Sequence, residues 1–282
     1  MTVDVGALAA AHPSIAFGSV RLVETGWDFV VVDTGEWIFR VPRGEWAAGH
    51  LRVERRLLAL LRPRLPYAVP DLSLHALGDG TPYALYPRLD GTPSTCAEAA
   101  AVAGDVAALL TALHAVEPAD ALVLGVAAPG KLDLDVLARR ASAEVVPLLP
   151  WASVAALHDA FAVLREPVPE EALIHADLGE ANLLVSGGRL TAVLDWSDAH
   201  VGDPAMDLAW FVQCLGAAGA RRALAAYVPP RGVDADGLWR RAVAHATVQP
   251  VHAVLWGLDN GRPSYVARQL ARIGGVAVPG GR

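Results

Sequence analysis

The sequence predicts an α+β fold in two lobes: a small lobe with an antiparallel sheet and one helix, then a larger, mostly helical lobe. Short β-rich runs separated by turn residues fill the first 89 residues, with one amphipathic segment between them. Alanine-rich segments with helical spacing occupy most of the remainder. A single β-hairpin signature interrupts that helical part. We therefore expect an N-lobe over 1–89 and a C-lobe over 90–282.

The elements of the N-lobe are bounded by turn residues and prolines. Asp4 is expected to cap a short helix that runs to Ala11, before Pro13. A longer helix with an apolar face separates the third strand from the fourth. The predicted strands are Val20–Glu24, Phe29–Asp33, Trp37–Val41, Leu72–Leu77 and Tyr83–Leu89, and the longer helix is Glu45–Arg62.

The C-lobe has the helical periodicity of a bundle, broken at prolines and glycines. One helix opens at Pro204, which suits the first turn, with Asp203 as its N-cap. The other predicted helices are Cys96–Val116, Asp133–Leu149, Ser153–Leu164, Arg221–Tyr227, Ala235–Leu258 and Arg262–Ile273.

Composition excludes several classes of protein. The chain has 282 residues and a net charge of -7, which argues against a nucleic-acid partner. No apolar run is long enough for a membrane span, and the N-terminus has no basic region typical of a signal peptide. We expect a cytoplasmic protein with no membrane partner. In that reducing compartment Cys96 and Cys214 are expected to be small buried residues rather than a disulfide.

Three polar residues stand out in the stretch from Leu173 to Asp207. Two β runs joined by Gly187 and Gly188 predict an antiparallel hairpin that Asn182 enters and Asp195 leaves, so their side chains should converge. Asp177 lies on the loop beside them. Two carboxylates and an amide oxygen are hard oxygen donors, which suit Mg²⁺.

The spacing of these residues is that of a kinase catalytic loop, H-x-D-x-x-x-x-N. In that loop the Asp accepts the proton of the substrate hydroxyl, and the Asn and a later Asp hold metal. The sequence therefore predicts Asp177 as the catalytic residue and Asn182 and Asp195 as metal ligands. Trp196 and Ser197 stand where a protein kinase has Phe and Gly.

Three segments, in order, resemble the aminoglycoside phosphotransferase family of small-molecule kinases: H-A-D-L-G-E-A-N from His175, L-D-W-S-D-A from Leu194, and G-D-P-A-M-D from Gly202. The resemblance implies a protein-kinase-like fold, ATP or GTP as donor, Mg²⁺, and a hydroxyl of a small-molecule antibiotic as acceptor. A lone D-x-x-x-x-N would be weak evidence, but three matched segments are specific. Asp203 and Asp207 are expected to buttress the catalytic loop through hydrogen bonds.

The resemblance also implies the nucleotide site. Such an N-lobe needs a cation on its third strand, held by an acid on the next helix. Arg40 and Glu54 fit, with Arg43 as the competitor for Arg40. Gly26-Trp27-Asp28-Phe29 would form a flap over the nucleotide. The expected contacts with the base are Tyr86, Pro87, Leu89 and Leu184.

The acceptor is less closely defined. Hygromycin kinases, and kinases of tuberactinomycins such as viomycin or capreomycin, match the catalytic loop best and favour a cationic acceptor. Macrolide kinases resemble the N-lobe but usually have His in place of Asn182. A choline or homoserine kinase is the metabolic alternative, and a catalytically dead binding module is disfavoured because all three polar residues are present. Asp198, Trp256 and Asp259 are candidate acceptor contacts.

Overall fold

The computed structural model describes residues 3–23, 28–127, 134–168 and 170–275. It confirms the two-lobed kinase-like architecture, an antiparallel sheet followed by a mostly helical lobe. The glycine and tryptophan of the expected flap, Gly26 and Trp27, lie outside the described residues.

The N-lobe sheet has five antiparallel strands in the order β1-β2-β3-β5-β4. Helix α1 covers one of its faces and α2 the other. Successive side chains of a strand point to opposite faces. Phe39 therefore packs with Leu8 of α1, and its neighbour Arg40 faces α2. The bounds are α1 Val5–Ala11, β1 Arg21–Val23, β2 Phe29–Asp33, β3 Trp37–Pro42, α2 Glu45–Leu61, β4 Ser73–Ala76 and β5 Pro82–Pro87.

Helices form most of the C-lobe: α3 Ala99–His114, α4 Pro118–Leu122, α5 Leu134–Arg140, α6 Trp151–Arg165, α7 Ala205–Leu224, α8 Ala235–Asp259 and α9 Pro263–Gly275. The buried faces of α3, α7 and α8 share one core with α2. A second core lies between α6, α8 and α9. Among the helices of the described ranges, none is long and apolar enough to cross a membrane.

Two predicted helices differ from those observed. The helix expected over Asp133–Leu149 ends at Arg140 and continues as a π-helical turn and a 3-10 turn. Pro147 explains the change, because it has no N–H for α-helical hydrogen bonding. The helix expected over Arg221–Tyr227 is instead the end of α7, which kinks at Gly216, where φ is 63°.

Short strands connect the helical lobe to the loops of the cleft. β6 (Thr92–Pro93), β8 (Leu183–Ser186) and β9 (Arg189–Val193) form one sheet, and β7 (Ala172–Ile174) pairs with β10 (His200–Gly202) in another. The sequence did not predict β7 or β10, because three residues are too few to show a period.

The expectation for the two cysteines was wrong. Cys96 and Cys214 form a disulfide across 118 residues, which joins the segment before α3 to α7. Their Sγ atoms meet because α3 and α7 pack side by side in the C-lobe core. Sequence separation gave no indication of that contact.

Candidate active site

The predicted hairpin is present and brings its two ends together. Gly187 and Gly188 turn the chain with φ of 58° and 75°, a conformation that favours glycine at both central positions. Where the strands meet the cleft, the N–H of Leu194 donates to the carbonyl of Asn182 at 2.8 Å. Asn182 and Asp195 are therefore held at one end of the hairpin.

The loop from His175 to Asn182 is held in place by hydrogen bonds of its backbone N–H groups and of the His175 imidazole. The buried imidazole contacts the carbonyl of Leu194 through Nε2 at 2.9 Å, and Nδ1 accepts from the N–H of Asp177 at 3.3 Å. Ala176, between them, has a φ of 69°, which is uncommon for a residue other than glycine. Such strain persists where surrounding contacts over-determine it, often at functional sites.

Those contacts come from Asp207 on α7, as predicted. Its carboxylate accepts from the N–H groups of His175 and Ala176, at 2.8 and 2.9 Å. It also contacts His114 Nε2 at 3.1 Å, and His114 Nδ1 contacts the Tyr227 hydroxyl at 2.7 Å. Burial alone would raise the pKa of Asp207, but the hydrogen bond and charge of His114 hold it below its ordinary value.

Asp203 does not buttress this loop, contrary to expectation. Its carboxylate accepts from the N–H of Ala205 at 3.0 Å, so it caps α7. It also pairs with Arg241 at 2.7 Å and His245 at 2.8 Å, both on α8. Asp203 therefore fastens α7 to α8.

Asp177 and Asn182 contact each other directly. The amide nitrogen of Asn182 donates to the backbone oxygen of Asp177 at 2.8 Å and to its carboxylate at 3.0 Å. The amide oxygen of Asn182 is thereby turned away from Asp177. Desolvation in the cleft raises the pKa of Asp177; the nearby charge of Asp195 adds to the rise, and His175 opposes it.

Asp195 ends the hairpin in a left-handed conformation, with φ at 57°. One of its oxygens, Oδ1, accepts from Arg40 Nη2 at 2.8 Å and from Ser197 Oγ at 2.9 Å. Both hydrogen bonds of its side chain within the described ranges use that oxygen. The other oxygen, Oδ2, is the available donor to a cation.

The predicted pair of Arg40 and Glu54 is also present. Arg40 is 4% exposed, and its guanidinium donates to Glu54 Oε1 at 2.5 Å, besides its bond to Asp195. It lies over the ring of Phe29, 4.1 Å from the centroid. Arg40, rather than Arg43, thus joins the sheet, α2 and the end of the hairpin.

Three of the residues expected to contact the base, Tyr86, Pro87 and Leu89, lie in the segment where the lobes join, and the fourth, Leu184, is on β8. Thr191 Oγ1 donates to the carbonyls of Asp90 and Leu184, at 2.7 and 3.0 Å, which ties this segment to the hairpin. Gly91 permits the approach, since a Cβ there would lie 2.7 Å from Thr191 Oγ1 and its φ is 112°. Along the segment and beneath it are buried Tyr86, exposed Pro87, half-buried Leu89 and buried Leu184.

A cavity of about 670 Å³ opens beside the catalytic loop, and Asp177, Asn182 and Asp198 all line it. Two expected acceptor residues lie near the end of α8. Trp256 packs edge-on against Tyr265 with ring centroids 5.4 Å apart, and Asp259 pairs with Arg140 at 2.7 Å. Neither is among the residues that line the cavity, although Tyr265, the ring partner of Trp256, does line it.

Asp198 is an acid of this cavity whose titration is shifted toward neutral pH. Desolvation, together with the charges of Asp177, Asp195 and Asp28, raises its pKa to about 6.

Sequence reasoning placed acceptor contacts on the final helices but missed the residues that line the cavity there. Tyr265, Gln269 and Arg272 share one face of α9 at i, i+4 and i+7. That polar spacing was a readable signal. Helices α7 and α8 contribute Gln213, Gln249 and His252, but polar and apolar residues alternate irregularly along them, so the sequence gave no signal for these three.

Comparison with known proteins agrees with this geometry. The chain matches the model of the phosphotransferase enzyme family over residues 19–245. It is 26% identical to the uncharacterized protein YcbJ of Bacillus subtilis (strain 168), over 91% of this chain and 90% of that protein. It is 46% identical to hygromycin-B 4-O-kinase of Escherichia coli over 59 residues, which is 21% of this chain and 17% of that protein.

Solved structures share the fold over nearly the whole chain. The GDP and kanamycin complex of the aminoglycoside phosphotransferase APH(2")-IIIa has a TM-score of 0.79 to this chain at 24% identity, covering 95% and 96% of the two chains. The macrolide 2'-phosphotransferase MphH from Brachybacterium faecium has a TM-score of 0.69 at 29% identity, covering 98% of each. With the catalytic loop, the hairpin and the family match in agreement, this chain belongs to the phosphotransferase enzyme family and is an O-phosphotransferase.

Proposed function

We propose that this protein transfers the γ-phosphoryl group of ATP or GTP to a hydroxyl of a small-molecule antibiotic, in the presence of Mg²⁺, and so confers resistance in the cytoplasm. The observation that best supports this proposal is the position of Asp177, at the wall of a cavity of about 670 Å³ and in contact with Asn182. The similar proteins act on such acceptors by name: hygromycin B and macrolides, and a complex contains kanamycin with GDP.

Asp177 is the proposed base. A carboxylate at the cavity wall can accept a hydrogen bond from the acceptor hydroxyl, orient its oxygen toward the phosphoryl group and take the proton. The Asn182 amide donates to this carboxylate and fixes its rotation. Because desolvation raises the pKa of Asp177, its basicity is greater than that of a solvated aspartate.

Asn182 and Asp195 are the proposed holders of Mg²⁺. The amide oxygen of the first and Oδ2 of the second are hard oxygen donors, which fit this cation. A bound Mg²⁺ would neutralise charge on the phosphate oxygens of the nucleotide. Arg40 keeps Oδ1 of Asp195 occupied, so the carboxylate has a fixed orientation before any cation arrives.

Arg40 is the proposed phosphate-binding cation, held by Glu54. An arginine stays charged even when buried, and its planar group can bond a carboxylate and a phosphate at once. Tyr86, Pro87, Leu89 and Leu184 would surround the base at the segment between the lobes.

A phosphorylation screen tests the proposal. The protein is incubated with ATP or GTP, Mg²⁺ and a panel of aminoglycosides, tuberactinomycins, macrolides, choline and homoserine, and products are identified by mass spectrometry. We expect an antibiotic to gain one phosphate with the wild type and not with Asp177→Asn. A product from choline or homoserine alone would replace the antibiotic by a metabolic acceptor.

A further inference from the structure

The catalytic loop is supported at each of its two ends by a different element. At its start, Asp207 of α7 accepts from the N–H groups of His175 and Ala176, at 2.8 and 2.9 Å. At its end, the segment 92–96, which begins with β6 and leads toward α3, lies against the last residues of the loop. The position of the proposed base therefore depends on two elements at once.

Three hydrogen bonds join the 92–96 segment to the end of the loop. The N–H of Cys96 donates to Glu180 Oε1 at 2.7 Å, and Ser94 Oγ donates to the carbonyl of Glu180 at 3.2 Å. The N–H of Ser94 donates to the carbonyl of Leu183 at 2.8 Å. The side chain and the backbone of Glu180 are thus both held by this segment.

Glu180 connects this support to the catalytic groups. It opens the 3-10 turn that ends at Asn182, and the amide of Asn182 donates to the carboxylate of Asp177 at 3.0 Å. One carboxylate oxygen of Glu180 lies within 4.8 Å of the Sγ atoms of Cys96 and Cys214. A shift of Glu180 would therefore move Asn182 and, through it, change the rotation of the Asp177 carboxylate.

The disulfide between Cys96 and Cys214 joins the two supports covalently. Cys96 ends the 92–96 segment, and Cys214 lies on α7 seven residues after Asp207. Helix α7 keeps its helical geometry as far as the kink at Gly216, so Asp207 and Cys214 share one continuous stretch, and residues seven apart lie on one face of a helix. The bond therefore links the elements that hold the two ends of the catalytic loop.

We propose that this disulfide is a redox switch of the phosphotransferase: with the bond formed, the loop holds Asp177 in place, and reduction to two thiols lowers the rate of phosphoryl transfer. Once the bond is reduced, α7 and the 92–96 segment are free to move separately, so the ends of the loop lose their fixed relation. A misplacement of about 1 Å can lower a rate by about a hundredfold. This inference rests on the proposed function, because it assigns the regulation of that same site.

The oxidant is a small-molecule disulfide such as oxidised glutathione. The thiolate of one cysteine attacks a sulfur of that molecule, which forms a mixed disulfide and releases one thiolate. The thiolate of the other cysteine then attacks the sulfur of the first and releases the second. Two electrons pass from the cysteine pair to the small disulfide, and the two thiol protons end on the two released thiols. Reduction by two small thiols runs these steps in reverse, and both cysteines are half-buried rather than fully buried.

The test measures the wild type in glutathione buffers from fully reduced to fully oxidised, with the disulfide counted by alkylation and mass spectrometry. Three quantities are followed. The first is kcat with the acceptor found in the phosphorylation screen, and the second is the stoichiometry of ATP binding, which counts the folded molecules. The third is hydrogen exchange of the backbone over 175–183, compared with strands β2 and β3 as an internal reference.

We expect reduction to lower kcat by about tenfold, through misplacement of the base, while the stoichiometry of ATP binding stays the same. Hydrogen exchange should become faster over 175–183 and stay unchanged in β2 and β3. Equal kcat in the two redox states would overturn the inference. An equal increase of exchange in the loop and in the reference strands would overturn it as well, since that result means a general loss of stability. If no acceptor is phosphorylated in either state, the proposed function fails, and the exchange data still decide whether the disulfide holds the loop.

Three variants separate the switch from other effects of glutathione. Cys96→Ser/Cys214→Ser should have the kcat of the reduced wild type in every buffer. Glu180→Ala should respond less to the redox state than the wild type does. Glu98→Ala is its matched control, because the Glu98 carboxylate accepts from the N–H and the hydroxyl of Thr95, beside the same cysteine, and it should respond as the wild type does. A double serine variant as active as the oxidised wild type, or equal responses of Glu180→Ala and Glu98→Ala, would contradict the proposal.

Discussion

At the scale of single residues, the base assignment depends on one carboxylate. Asp177 faces the cavity and is bound to Asn182, so Asp177→Asn keeps the shape and removes the proton acceptor. We expect kcat to fall by about two to four orders of magnitude, the usual contribution of a positioned acid–base group, with nucleotide KM unchanged. Steady-state kinetics check this against Glu171→Gln, a change at an exposed acid of the same lobe. A kcat within about threefold of wild type would exclude Asp177 as the base.

At the same scale, Asp198 should make the activity depend on pH. Its pKa is raised to about 6 by desolvation and by neighbouring carboxylates, so it becomes charged as pH rises through that value. For an acceptor with an amine we expect kcat/KM to rise between pH 5 and 7, which is a range of about one unit on either side of this pKa. In Asp198→Asn this rise of kcat/KM with pH should be absent. The same rise of kcat/KM with pH in both proteins would assign the titration to another group.

The same shift makes a prediction about stability. A carboxyl whose pKa is higher in the folded protein than in the unfolded chain stabilises the fold below the unfolded pKa, and that contribution is lost as pH rises through about 6. Asp198→Asn should therefore be more stable than wild type at pH 7 and lose this advantage toward pH 4. Thermal unfolding of both proteins across that range measures the difference in Tm. A constant difference would contradict a raised pKa.

At the scale of elements, α2, β3 and the hairpin meet at one buried ion pair. Arg40 bonds both Glu54 and Asp195, so Arg40→Met leaves the Glu54 carboxylate buried without its cation. Removing one partner of a buried pair costs about 3–5 kcal/mol of stability. The Arg40→Met/Glu54→Leu double variant should recover much of this in urea unfolding, yet remain inactive. Additive losses in the double variant would show that the two side chains are not coupled.

Helices α3 and α7 hold the catalytic loop through a chain of buried hydrogen bonds. His114 contacts Asp207, and Asp207 accepts from the backbone of His175 and Ala176. We expect His114→Phe to lower kcat about ten- to a hundredfold through misplacement of Asp177, with nucleotide KM little changed. Tyr227→Phe, which removes only the outer hydroxyl of the chain, is the control and should have a smaller effect. Equal kcat in wild type and His114→Phe would mean that Asp207 holds the loop alone.

At the scale of the whole molecule, the disulfide closes a loop of most of the central chain. Cys96 and Cys214 are 118 residues apart, and a cross-link of that span stabilises a fold by about 2–4 kcal/mol in typical cases. Urea denaturation under oxidising conditions should give the Cys96→Ser/Cys214→Ser variant a free energy of unfolding lower than wild type by that amount. A dithiol reductant should lower the free energy of unfolding of the wild type to that of the variant. Equal midpoints with and without reductant would show that the bond contributes nothing in solution.

The sequence by itself determined the fold class and predicted a reacting centre. The hairpin has a local signature, which is enough to predict that Asn182 and Asp195 lie together, and the spacing of Asp177 adds the third group. Strands β2 and β3 and helices α2 and α8 were predicted to within one residue at each end. Turn residues bound the two strands, and the long helices have a periodicity of their own. The pair of Arg40 and Glu54 followed from the resemblance to a kinase-type N-lobe, applied to the third strand and the next helix.

Only the tertiary structure decided contacts between segments distant in sequence. The packing of α3, α7, α8 and α9 decides the disulfide, the separate roles of Asp203 and Asp207, and the polar lining of the cavity. A helical residue has neighbours at three and four positions along its own chain, but its partner on another helix is set by crossing angle and core volume. For that reason the net charge of -7 suggested a cationic acceptor, whereas only the packing of the helices showed which polar side chains line the cavity.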